Sequence, residues 1–163
     1  MDTLQTKLAS AIELRKSDQP EAARTALLAL HAEYPADAQV NLQCAWIHDL
    51  LGLEREAIPF YEQAVAAGLN DTDLKDALLG MGSTYRALGE YQKANAAFEK
   101  ARAHFPNDNQ FKVFHALTLY NLKEHAAAME LLLTTLLDTS QDQNILDYER
   151  ALRFYSDKLD ETW

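Results

Sequence analysis

One pattern of small and large residues returns down this chain at a spacing of 34 positions. In its clearest copy, Leu78, Met81-Gly82 and Tyr85 precede the turn Leu88-Gly89, Ala94, Phe98 and Ala101 follow it, and Pro106 closes the unit. Apolar residues three or four apart lie on one face of a helix, glycine accepts the left-handed residue that ends a helix, and proline cannot continue one. Each copy therefore reads as two helices joined by a tight turn. Self-similarity at this period is the signature of stacked helical hairpins. A single hairpin cannot bury its apolar side alone, so the pattern constrains the chain to an array.

Four copies can be aligned, over residues about 4–37, 38–71, 75–108 and 109–142, and a last helix spans about 143–159, all within one domain, 1–163. Ala11, Ala45, Gly82 and Ala116 are the small residues that let paired helices approach, while Leu27, Tyr61, Phe98 and Leu132 fill the space beyond them. The turns differ between copies. In the first, Asp18 is expected to cap the helix that starts at Pro20; in the second and third, Gly52 and Gly89 supply the turn; in the fourth, Lys123 stands at the glycine place and must accept an unfavourable conformation. Pro59 removes a backbone bond and predicts a bend or a frayed first turn in its helix. Ala57 and Ala94 are 37 residues apart rather than 34, which predicts a longer surface loop at Asn70–Asp73, with Asp73 and Asp76 as the capping pattern. In the last helix Tyr148, Leu152, Tyr155 and Leu159 form a stripe expected to cover the fourth hairpin, with Trp163 as its anchor or a frayed end.

These residues resemble the tetratricopeptide repeat (TPR), whose apolar, Leu-Gly, aromatic, Ala, aromatic, Ala and Pro places fall on Leu78, Met81-Gly82, Tyr85, Ala94, Phe98, Ala101 and Pro106. The layout, down to the ending Asn144–Tyr155, is similar to that of the small bacterial proteins built of the group-five class of this repeat. The resemblance implies an all-α, right-handed superhelix (an α-solenoid) of four hairpins plus a C-terminal capping helix, with a concave side lined by the first helix of each pair. It also implies which residues face that side: Leu8, Ile12 and Arg15; Leu42, Trp46 and Asp49; Leu79, Ser83 and Arg86; Val113, Leu117 and Tyr120. Some relatives clamp a C-terminal carboxylate with lysine, arginine and asparagine there. Gln43 stands where the central asparagine would lie and Asp76 where a lysine would, so carboxylate clamping is disfavoured.

The formal charge of -10 argues against nucleic acid and anionic membrane surfaces as partners. The longest apolar tract, Ala126–Leu137, is interrupted by Glu130 and is too short to span a bilayer. Met1-Asp2-Thr3 begins no basic segment followed by an apolar one, so no export signal is expected. Cys44 is the single cysteine, read as a buried small residue in a reducing cytoplasm. The five histidines form no His-Glu-x-x-His pair, with His48 and His115 expected to be packed. Leu79–Ser83 contains glycines but no lysine where a phosphate loop needs one. No metal, cofactor or catalytic constellation is therefore expected.

What remains is a non-enzymatic interaction module that binds an apolar peptide or protein segment. The partner-binding residues expected are Leu42, Trp46, Asp49, Leu79, Arg86, Val113, Leu117 and Tyr120, with Asp49 and Arg86 fixing the register of the bound segment. The alternative is a structural protein that assembles with copies of itself into a homodimer or stack. A third reading leaves the same apolar residues as core at the bend of a tight superhelix.

Overall fold

The protein, described here from a computed structural model, is all-helical among its described residues, 3–163. Met1 and Asp2, the start of the terminus read above as lacking an export signal, lie outside them. The helices are α1 (Leu4–Lys16), α2 (Pro20–Glu33), α3 (Ala38–Leu50), α4 (Glu54–Ala67), α5 (Asp71–Ala87), α6 (Tyr91–His104), α7 (Asn109–Asn121), α8 (His125–Thr139), α9 (Gln143–Leu146) and α10 (Glu149–Tyr155). They group into two compact units, Met1–Gly89 and Glu90–Trp163.

The turn inside every hairpin is one device used four times. Asp18, Gly52, Gly89 and Lys123 have φ of 57°, 69°, 78° and 68°. The residue after the left-handed one donates its amide five residues back: Gln19 to Leu14, Leu53 to His48 and Glu124 to Leu119, at 3.0, 2.9 and 2.9 Å. This is the Schellman closure of a helix C-terminus. The following helix then starts without a side-chain cap, at Gln19, Leu53, Glu90 and Glu124 alike. These four residues have ψ of 58°, 57°, 59° and 59°, not the extended backbone from which a side chain caps a helix. Asp18 is thus not the cap expected from the sequence but the left-handed residue, while Pro20 opens α2 as expected. Lys123 adopts the strained conformation its position predicts.

The first helices of three hairpins do carry caps. Thr3 accepts from the Thr6 amide, Asp37 from Val40 and Asn70 from Asp73. The cap at Asn70 corrects the expected place of the insertion. Gly68, Leu69 and Asn70 make a loop no longer than the other connections, and α5 has 17 residues where α1, α3 and α7 have 13. The extra residues became a helical turn because Asn70, with Asp73 three positions on, nucleates the helix early. The Asn70 Nδ2 donates to Asp73 Oδ2 at 2.5 Å, and Gln39 of α3 donates to the same oxygen at 2.6 Å. Pro59 costs its helix one backbone bond but does not end it, and α4 runs through it.

In the first unit α2 packs on α1 and α3, and α4 on α3 and α5, while α3 also touches α1 and α5. The core of α1 to α3 is Ala11, Ala23, Leu27, Leu30, Val40, Cys44 and Ile47, all buried. In the second unit α7 packs on α6 and α8, and α10 on α8. Thr135, at a place that holds alanine in the second and third copies, is buried and its hydroxyl donates to the Leu131 carbonyl at 2.7 Å, so the polar group is satisfied within its own helix. The expected last helix is two short ones. Tyr148, with φ -105° and ψ 11°, leaves helical geometry, and the amide of Tyr148 turns back to the Ile145 carbonyl. Leu152 is half-buried, but Tyr148 and Tyr155 stay 67% and 44% exposed, so the expected cover is partial. Arg153 supplements it, bonding Asp138 of α8 at 2.8 Å.

Candidate functional site

The first helices of the first unit bring several of the expected face residues together and withdraw others. Leu42 has no exposed surface and belongs to the core. The reason is the place of α3, which is contacted by α1, α2, α4 and α5 and has eight buried residues among thirteen. A side chain enclosed in this way presents nothing to a partner. Trp46, on the same helix, is half-buried, as are Leu79 and Arg86 on α5.

Asp49 does not serve as a free register charge. Tyr61 Oη donates to its Oδ2 at 2.6 Å, and Thr84 Oγ1 lies 3.0 and 2.9 Å from its two oxygens and 2.8 Å from the Gly80 carbonyl. The single hydroxyl proton of Thr84 is shared between these acceptors. Burial pushes the Asp49 carboxyl above its ordinary range, the bonds from Tyr61 and Thr84 pull it down, Glu54 raises it and His48 lowers it. Burial also drives the Tyr61 phenol far upward, reinforced by Asp49, so Tyr61 remains a donor. The carboxylate ties α3, α4 and α5 to one another. This role was not legible in advance, although Tyr61 stands twelve residues beyond Asp49 across the Gly52 turn.

Gly80 makes the tie possible. A Cβ there would come within 2.7 Å of the Tyr61 Cζ and closer still to its hydroxyl. Beside this tie, the Arg15 guanidinium carbon lies 5.4 Å from the Trp46 ring centroid, joining the faces of α1 and α3.

In the second unit, Val113, Leu117 and Tyr120 occupy positions i, i+4 and i+7 of α7 and are 39%, 37% and 60% exposed. The Tyr120 ring centroid is 4.8 Å from that of His125. Phe111, His115, Ala116, Thr118 and Leu119 are buried. His115 Nε2 donates to Asn95 Oδ1 at 2.6 Å, and Nδ1 accepts from Arg102 Nη1 at 2.9 Å. This assigns the neutral tautomer. Burial, then the Arg102 charge, hold the imidazole below its usual 6.5, against an opposing pull from Glu99.

Cys44 is buried and its thiol, pushed up to about 12 by burial, donates to the Leu27 carbonyl, so it is no nucleophile at neutral pH. Among the described residues no cluster of three or more histidine, cysteine or carboxylate side chains could hold a metal ion, and no helix is long and apolar enough to cross a membrane.

Hairpins closed by one repeated left-handed turn, with small residues at the helix approaches and bulky ones beyond them, define the class as a tetratricopeptide-repeat protein. The family TPR_5, described as "Tetratrico peptide repeat", matches residues 38–159, and the chain belongs to that family. Solved structures agree on the fold. The MamA protein is similar with a TM-score of 0.75 at 19% identity, over 90% of this chain and 77% of that one. A tetratricopeptide repeat protein from Parabacteroides merdae ATCC 43184 gives 0.75 at 14% identity, over 93% of this chain and 58% of that one. A chain of the APC/C hetero-tetramer Cut9-Hcn1 gives 0.72 at 17% identity, over 92% and 30%. No curated protein matches in sequence. Membership of the family makes the chain a protein-interaction module in general terms.

Proposed function

We propose that the protein is a cytoplasmic adaptor without catalytic activity, holding an apolar segment of a partner protein against the first helices of its hairpins. Each unit offers its own face: Trp46, Leu79 and Arg86 in the first, and Val113, Leu117 and Tyr120 in the second. The observation that carries this reading is the stripe on α7, where three large side chains in helical register are each more than a third exposed. A row of apolar groups in water on the helix that the repeat uses for recognition is an unmet opportunity for burial, and an aromatic with a polar tip is a common anchor in such contacts. The charge of -10 adds a preference for a partner bearing some basic residues, seen mainly as a salt-dependent association rate.

Self-assembly is the second reading, favoured by a different observation. Tyr148, Phe154, Tyr155 and Trp163, at the C-terminal end, are 67%, 52%, 44% and 76% exposed. Molecular mass across a concentration series, run alongside a pull-down from the native host, separates the two. The adaptor reading expects a monomer that captures one specific protein, with capture reduced by Leu117→Asp. A dimer that persists on dilution and is broken by Phe154→Asp, with capture indifferent to Leu117→Asp, would favour self-assembly.

A further inference from the structure

Arg15 differs from the other partly buried cations of α1 and α2. Lys7 pairs with Glu33 at 2.9 Å and Arg24 with Glu21 at 3.4 Å, whereas no carboxylate among the described residues pairs with Arg15. Its guanidinium lies against Trp46, and its Nε, like that of Arg24, is buried without an acceptor. Arg15 as a whole is only half-buried, which leaves part of it open to a ligand. A guanidinium held against an indole is partly stripped of water and oriented before anything binds, which are the conditions under which its bond to a carboxylate gains most.

We propose that Arg15, laid on Trp46, is the docking point for one acidic side chain within an apolar segment of the partner. The inference rests on the peptide-binding reading above and names what this unit selects. Asp49, the other charged residue expected on α1 and α3, is consumed by Tyr61 and Thr84, which leaves Arg15 as the charged group that these two helices offer. The charge of -10 opposes a partner that is acidic throughout, so the complement is a single carboxylate in a segment otherwise neutral or basic. A side chain fits better than a chain end. The places that hold asparagine and lysine in relatives that clamp a C-terminus carry Gln43, which is buried, and Asp76, which would repel one.

The test uses the full chain with Trp163→Phe, so that Trp46 is the only indole, and follows its fluorescence. Four pools of short peptides with randomised apolar flanks serve as probes. Three are blocked at both ends and carry a central glutamate, glutamine or lysine; the fourth carries glutamine and a free C-terminus. The glutamate pool should bind about tenfold tighter than the glutamine pool, and the lysine pool most weakly. Arg15→Gln should erase the glutamate preference, and Arg15→Lys should keep part of it. Equal affinities of the glutamate and glutamine pools, with Trp46 still responding, would overturn the inference and leave the peptide-binding reading standing. So would persistence of the preference in Arg15→Gln, or tightest binding by the free C-terminus. Failure of every pool to bind would overturn both.

Discussion

Lys123 adopts a backbone conformation that costs an ordinary side chain about 1–2 kcal/mol, and it does so because three other turns of the same shape set the precedent. Lys123→Gly should therefore raise stability by about 0.5–1 kcal/mol, once the larger freedom of glycine in the unfolded chain is subtracted. Asp18→Gly should gain less, since aspartate tolerates the left-handed region better. Denaturant midpoints at constant slope check both. Gly80 runs the other way. Alanine would recover about 1 kcal/mol of helix propensity, but its Cβ would strike Tyr61, which is 1% exposed and cannot retreat without leaving Asp49. Overpacking of this kind costs about 1–3 kcal/mol, so Gly80→Ala should be a net loss of about 1 kcal/mol, measured as a lowered midpoint. The strain at Lys123 was legible because alignment at 34 residues sets it opposite Gly89. The role of Asp18 was not, because Asp followed by Pro looks locally like a helix start, and only the repeated turn geometry overrules that appearance.

Helix α3 shows how an element's position decides what its residues can do. The resemblance to the repeat implies that Leu42, Trp46 and Asp49 share the concave face, but packing by neighbours on several sides buries Leu42 and engages Asp49. Helical periodicity gives the face but not how much of it the neighbours cover. On α7 the neighbours leave Val113, Leu117 and Tyr120 exposed. In the sequence, an insertion that lengthens α5 by a helical turn and one that lengthens a loop look alike, and only the cap at Asn70 separates them. Between α6 and α7, His115 is neutral, held by Asn95 and Arg102. Protonation would turn Nδ1 into a donor facing the Arg102 guanidinium. Because the folded value is depressed below 6.5, the unfolded chain binds the proton more readily. The stability contributed by His115 is present above that value and is lost as pH falls through it toward the folded value. Urea midpoints should decline over this window in the parent and decline less in His115→Gln. Parallel pH profiles would show that the tie does not titrate.

At the scale of the whole chain, class was readable and partner was not. The period, the small residues at Ala11, Ala45, Gly82 and Ala116 and the turn glycines carry the fold, since each states a packing distance or a backbone angle that few structures satisfy. A recognition surface states only that it is apolar and exposed, a description that an adaptor and a self-assembling protein share. The central claim is that the first helices of the hairpins make the contact. Its most direct measurement is the affinity of the captured partner for chains carrying Trp46→Ala or Tyr120→Ala, by titration calorimetry below the melting temperature of each variant. The substitution in the unit that makes the contact is predicted to weaken binding by about tenfold or more. An affinity indifferent to both would contradict the claim and place the contact on another surface of the protein.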